Sequence, residues 1–79
     1  MPASFAANMS RISISSSHVR SIGYDEWTAT LEVQFHSGGI YQHYDVPYDL
    51  YADFIQAGSK GSFYYHRLRN RYGCRRVRG

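Results

Sequence analysis

The sequence predicts a small α+β domain, a three-stranded antiparallel β-meander followed by two α-helices packed on one sheet face. Three observations carry that expectation. Apolar and polar residues alternate from Trp27 to His36 and again from Ile40 to Val46, the period-2 signature of strands with one buried face. Ser37-Gly38-Gly39 separates the two runs, and a Gly-Gly pair in that position reads as a tight hairpin. After Pro47 the period changes, and Tyr48, Tyr51, Ala52 and Ile55 recur at helical spacing.

Seventy-nine residues make one domain. A chain this short buries only about 60% of its unfolded surface, enough for a modest core but not for a deep cleft between lobes. Residues 1–16, rich in Ala and Ser, read as a flexible N-terminal arm, with the alternation of Ile12 and Ile14 marking a short strand near its end. Met9 is an alternative translational start. Residues 17–72 are expected to form the folded domain, and residues 73–79 a basic C-terminal tail.

Within the domain, His18 to Tyr24 forms the first strand, ended by Asp25-Glu26. The alternation then places Trp27, Ala29, Leu31, Val33 and Phe35 on a buried face. A two-residue turn at Gly38-Gly39 sets His36 opposite Tyr41 and Gln34 opposite His43, so Tyr41 and His43 share the open polar face with Glu32, Gln34 and His36. A different turn type would slip the register and exchange the faces. Pro47 stops the third strand because it lacks the amide donor a ladder needs, and it suits the start of a helix that ends at Gly58. Ser59 caps a second helix running to about Arg71, with Tyr64, Leu68 and Tyr72 as its core stripe.

Several functions are disfavoured. Cys74 is the single cysteine, so the chain forms no internal disulfide and no multi-cysteine zinc site. That usage fits a reducing, cytoplasmic setting. No apolar run approaches the roughly 18 residues of a membrane helix, and the start lacks the pattern of a signal peptide. His18, His36, His43 and His66 form no recognisable ligand set, and neither a metal nor a cofactor is expected. Cys74 and His66 lack an orienting Asn or Asp partner. With no converging acid/base pair, the chain is expected not to be an enzyme. Gly58-Ser59-Lys60-Gly61 follows no strand and lacks phosphate-loop spacing. It reads as a cap, leaving Lys60 at a helix N-terminus as an anion contact.

Charge is the informative part. Residues 1–59 carry two basic and six acidic residues, a balance of −4, whereas residues 60–79 carry Lys60 and six arginines, a balance of +7. Aromatics interleave with these arginines: Phe63, Tyr64, Tyr65 and Tyr72. Arginine beside exposed aromatic rings is a common way to build a single-stranded nucleic-acid site.

The stretch from Ser16 to Tyr72 resembles the KTSC domain family. The matching segments are Ser21-Ile22-Gly23-Tyr24-Asp25, Leu31-Glu32-Val33-Gln34-Phe35 with Ser37-Gly38-Gly39, Tyr41, Asp45-Val46-Pro47, Ala57, Ser59-Lys60-Gly61, and Arg69 to Tyr72. The resemblance implies a small bacterial or phage-associated module that also occurs at the end of some lysyl-tRNA synthetases, a context that suggests RNA binding. The central Tyr-x-Tyr of that family reads Tyr41-Gln42-His43 here, and Tyr65 stands where the family often has Asn.

The expected function is therefore a non-catalytic RNA-binding accessory module. Lys60, Arg67, Arg71, Arg75 and Arg76 would meet phosphates, and Tyr41, His43 and Tyr65 would meet bases. The rival expectation is a protein-interaction or self-association module that offers an exposed sheet edge, His18 to Tyr24 or Ile40 to Val46.

Overall fold

A computed structural model describes residues 10–78. Five strands form one antiparallel sheet in the order β1 (Ile12–Ser13), β2 (Val19–Asp25), β3 (Thr30–Phe35), β4 (Ile40–His43) and β5 (Cys74–Arg78). Between β4 and β5 lie α1 (Tyr48–Gln56) and α2 (Lys60–Phe63), and α2 runs directly into a π-helical turn, Tyr64–Leu68. Pro47 occupies the N-cap of α1, and Asp49 stands in its first turn, where the helix dipole favours a negative charge. The Ser59 hydroxyl accepts from the Ser62 amide and caps α2, as its position predicts.

One core holds these elements together. Val19, Ile22, Leu31 and Val33 from the sheet meet Val46, Leu50 and Phe54 from α1 and its approach, with Leu68 from the π-helical turn. Each such side chain contributes about 1.5–3 kcal/mol on full burial. Phe54 also stacks on Phe63 at 5.3 Å, joining α1 to α2.

The sheet exceeds the three-stranded meander that the sequence predicts. Cys74–Arg78, expected in a basic tail, pairs with β4 through Gln42↔Arg75 and His43↔Cys74. Every residue of β5 is exposed, so the strand has no apolar face to announce it and is held by its backbone ladder. Ile12–Ser13 adds a short strand on the other side, pairing with β2. The first nine residues of the expected arm lie outside the described part of the chain.

Three boundaries move. β4 ends at His43 rather than Val46, ahead of Asp45, which is left-handed with φ 59°. β3 begins at Thr30 rather than Trp27, because Glu26 to Ala29 form a turn in which the Trp27 amide donates to Asp25 Oδ1 at 2.9 Å. Ala29 takes a left-handed conformation there, with φ 54°. Trp27, assigned by alternation to the buried face, is 96% exposed. The second helical segment ends at Leu68 rather than Arg71, since Arg69 is extended and Asn70 is left-handed with φ 63°.

The hairpin register also differs, with larger consequences. The β3–β4 connection is a four-residue loop, with the Phe35 amide bonded to the Gly39 carbonyl and the Gly38 amide to the Phe35 carbonyl. Pairing is therefore Gln34↔Ile40, Val33↔Tyr41 and Leu31↔His43. This is an odd shift from the expected alignment, so the faces exchange. Tyr41 and His43 stand on the core side of the sheet, not on its polar face.

Candidate nucleic-acid interface

From Phe54 onward the chain has no acidic residue, and its arginines sit on three consecutive pieces of structure. Arg67 belongs to the π-helical turn, Arg69 and Arg71 to the turn that follows, and Arg75, Arg76 and Arg78 to β5. All six are exposed. Among the described residues the one ion pair joins Arg11 to Glu32. Arg67, Arg69, Arg71 and Arg75 therefore meet no carboxylate there.

Rings support several of these cations. The Arg67 guanidinium lies 5.0 Å from the Phe63 centroid, Arg69 lies 5.4 Å from Tyr65, and Arg76 lies 5.8 Å from Tyr41. Such contacts are worth about 0.5–1 kcal/mol at exposed sites, and they order a side chain that would otherwise sample many rotamers. Tyr65, His66, Arg69, Asn70 and Arg71 line a shallow, mostly polar groove. Tyr65 is 58% exposed and edge-on to His66 at 5.2 Å. The left-handed Asn70, a conformation asparagine tolerates, turns the chain so that Arg69 and Arg71 both border the groove.

Of the residues predicted to bind nucleic acid, Arg67, Arg71, Arg75, Arg76 and Tyr65 occupy this exposed basic region. Lys60 does not contribute in the expected way. Its ammonium donates to the Ala57 carbonyl at 2.5 Å and closes the end of α1. Tyr41 is half-buried, edge-on to Phe35 at 5.9 Å and covered by Arg76. His43 is only 1% exposed and unavailable for stacking. Its Nε2 lies 2.8 Å from the Tyr64 hydroxyl, and its Nδ1 has no hydrogen-bond partner of good geometry among the described residues. Burial lowers the His43 pKa, while the nearby Tyr72 backbone opposes the shift. Burial pushes the Tyr64 hydroxyl up to about 12, with Cys74 and Tyr41 adding to the effect and Arg69 opposing it. Cys74 is opposite His43 in the ladder, and desolvation raises its pKa, which keeps it a thiol at neutral pH.

The face expected to be open carries a polar network instead. Arg11 pairs with the buried Glu32 and donates from Nε to Ser21 Oγ at 2.9 Å. Ser21 donates to Gln34 at 2.7 Å, and Gln42 donates to Glu32 at 2.8 Å. Arg11 falls in the segment that the sequence predicts to be a flexible arm. The signal that could have placed it was the alternation itself, which sets Arg11 and Ser13 on the opposite face from Ile12. Among the described residues no three His, Cys, Asp or Glu side chains are grouped closely enough to hold a metal, and no helix is long and apolar enough to cross a membrane.

An antiparallel sheet with two helical segments covering one face defines a small α+β module of a recognisable kind. The chain belongs to the KTSC domain family, whose model matches residues 15–72. A crystal structure of a KTSC domain protein from Yersinia pestis is similar at a TM-score of 0.85 and 39% identity, covering 87% of this chain and 97% of that one. An uncharacterised protein of Stutzerimonas stutzeri (strain A1501) is 40% identical over 53 residues, 67% of this chain and 75% of the relative. Arg67, Arg69 and Arg71 fall inside the family match, whereas Arg75, Arg76 and Arg78 lie beyond it.

Proposed function

We propose that this chain is a non-catalytic cytoplasmic module that binds single-stranded RNA through the basic surface running from the π-helical turn to β5. The observation that carries the reading is that Arg67, Arg69, Arg71 and Arg75 are exposed and meet no carboxylate among the described residues. An arginine face that balanced the acidic half of the chain would show such pairs. Arg67, Arg69, Arg71 and Arg75 capture phosphates, and a base stacks at the exposed Tyr65 beside Arg69. Electrostatic capture with a single stacking ring gives modest sequence specificity.

The test is a titration of labelled single-stranded RNA, folded tRNA and duplex DNA at two salt concentrations, with the variant Arg67→Ala, Arg69→Ala, Arg71→Ala, Arg75→Ala alongside. Affinity should fall steeply with salt, and each lost phosphate contact should reduce the logarithmic slope by about 0.7. A shallow slope, or equal weak binding to every polyanion, refutes the reading.

A second reading rests on β5. The edges expected from the sequence, β2 and β4, are both paired on each side, and β5 bounds the sheet with all its residues exposed. An exposed edge strand favours a protein-interaction module.

A further inference from the structure

A second groove, remote in chemistry from the arginines, opens between the β2–β3 turn and the start of α1. Tyr24, Glu26, Asp45, Val46, Pro47 and Tyr48 line it. Its wall is held firmly: Tyr24 stacks on Tyr51 at 4.6 Å, meets Tyr48 edge-on at 6.1 Å, and donates its hydroxyl to the Val46 carbonyl at 2.5 Å. Tyr48 is 54% exposed, and Trp27 on the adjoining turn is the most exposed large apolar side chain described. Glu26 and Asp45 are exposed, and neither has an ion-pair partner among the described residues. No lysine or arginine occurs between Arg20 and Lys60.

Two unpaired carboxylates beside electron-rich rings suit a guanidinium. The carboxylates accept its N–H groups, and the rings attract its charge. The chain itself carries that complement. Arg75 and Arg78 on β5 are exposed and make no ion pair with Glu26 or Asp45 of their own chain. We propose that this groove receives the arginines of β5 from a second copy, in a head-to-tail contact. Symmetric pairing of β5 with β5 would instead set three arginines against three. A head-to-tail contact leaves one groove and one strand unsatisfied at the ends, so assembly grows with concentration instead of closing at a pair. The inference does not rest on RNA binding, although RNA would compete for the same strand.

Sedimentation of nuclease-treated protein from micromolar to millimolar concentration tests it, with two variants. One removes the groove charges, Glu26→Gln with Asp45→Asn, where Asn suits the left-handed backbone of Asp45. The other removes the strand charges, Arg75→Gln with Arg78→Gln. The parent should associate, less at high salt. Each variant alone should associate up to about tenfold more weakly. An equimolar mixture should regain the contact as a dimer that grows no further, because each variant supplies the half the other lacks. Trp27, the single tryptophan, should shift its emission to the blue as the mixture forms. A parent that stays monomeric throughout overturns the proposal, as does undiminished association of the groove variant or a mixture no better than its parts. The groove variant keeps every arginine, so its RNA affinity reports separately on the RNA reading.

Discussion

The His43 ring nitrogen Nε2 lies 2.8 Å from the Tyr64 hydroxyl, joining the end of β4 to the first residue of the π-helical turn. Burial favours the neutral ring, so Nε2 accepts from the Tyr64 O–H and the ring proton resides on Nδ1, beside the Tyr72 backbone. The folded pKa of His43 lies below its ordinary 6.5. Between those two values the unfolded chain binds the extra proton, and stability falls as pH falls. The contribution of His43 is complete above pH 7 and is lost as pH drops from about 6.5 through the folded value. Tyr64 has the opposite sign. Its pKa of about 12, against an ordinary 10.0, gives stability that is present below pH 10 and lost as pH rises towards 12. Melting temperature against pH should show both limbs. His43→Phe should flatten the acid limb between pH 7 and 5 and cost about 1–2 kcal/mol at pH 8, because the Tyr64 hydroxyl then lacks its acceptor. An unchanged acid limb would show that His43 is not the group responsible.

The same pair shows how far the sequence could be read. Leu31 and Val33 announced themselves by period on the apolar face of β3, whereas α1 buries Leu50 and Phe54 and leaves Tyr48, the first residue of the expected stripe, 54% exposed. Trp27 is exposed against expectation because the alternation continues unbroken into a turn, and nothing in a period-2 pattern distinguishes a strand from the turn that feeds it. His43 lies on the core face against expectation because Gly38-Gly39 suits a two-residue turn as well as the four-residue loop that forms, and an odd slip exchanges faces. β5 left no signal, since a strand exposed on every residue needs no apolar pattern. The basic surface was legible from composition. Which arginines lacked partners was not, because that depends on where the carboxylates lie in space.

Arg11 and Glu32 supply a second test. The Glu32 side chain is 4% exposed and that of Arg11 27%. Arg11→Ala leaves the Glu32 carboxylate buried with Gln42 as its one donor among the described residues, and it frees β1 from the sheet's polar face. Removing one partner of a fully buried pair costs about 3–5 kcal/mol. The partial exposure of Arg11 lowers the expectation to about 2 kcal/mol. Adding Glu32→Gln to Arg11→Ala should recover part of that loss. Urea denaturation of the parent, the single and the double variant measures both steps. A double variant weaker than the single would show that Glu32 is held by something other than Arg11.

Gly38 fixes the register that buries His43. Its φ is 110°, a conformation that side chains rarely adopt, although open space surrounds the position. Gly38→Ala should therefore cost at least about 1 kcal/mol through backbone strain alone. If the loop relaxes into a two-residue turn instead, the strand slips and Tyr41 and His43 turn outward. Amide exchange at Tyr41 and Gln42 separates the cases. Slower global unfolding with unchanged protection, or no loss of stability, would contradict the strain.

Tyr65 and Tyr41 separate binding from folding. Tyr65 is exposed beside Arg69 and the groove, so Tyr65→Ala should leave melting almost unchanged. It should weaken single-stranded RNA binding by about 1–3 kcal/mol, the usual worth of one stacked base. Duplex DNA, which offers no free base, should bind the variant as it binds the parent. Tyr41 packs edge-on to Phe35 beneath Arg76. Tyr41→Ala should cost about 2 kcal/mol of stability through lost packing, while the RNA affinity of the folded fraction stays the same. Calorimetry and RNA titration on both variants read the two axes independently. If Tyr41→Ala weakened RNA binding and Tyr65→Ala did not, the stacking surface would lie on the β4–β5 side of the sheet and the groove at Tyr65 would have no part in recognition.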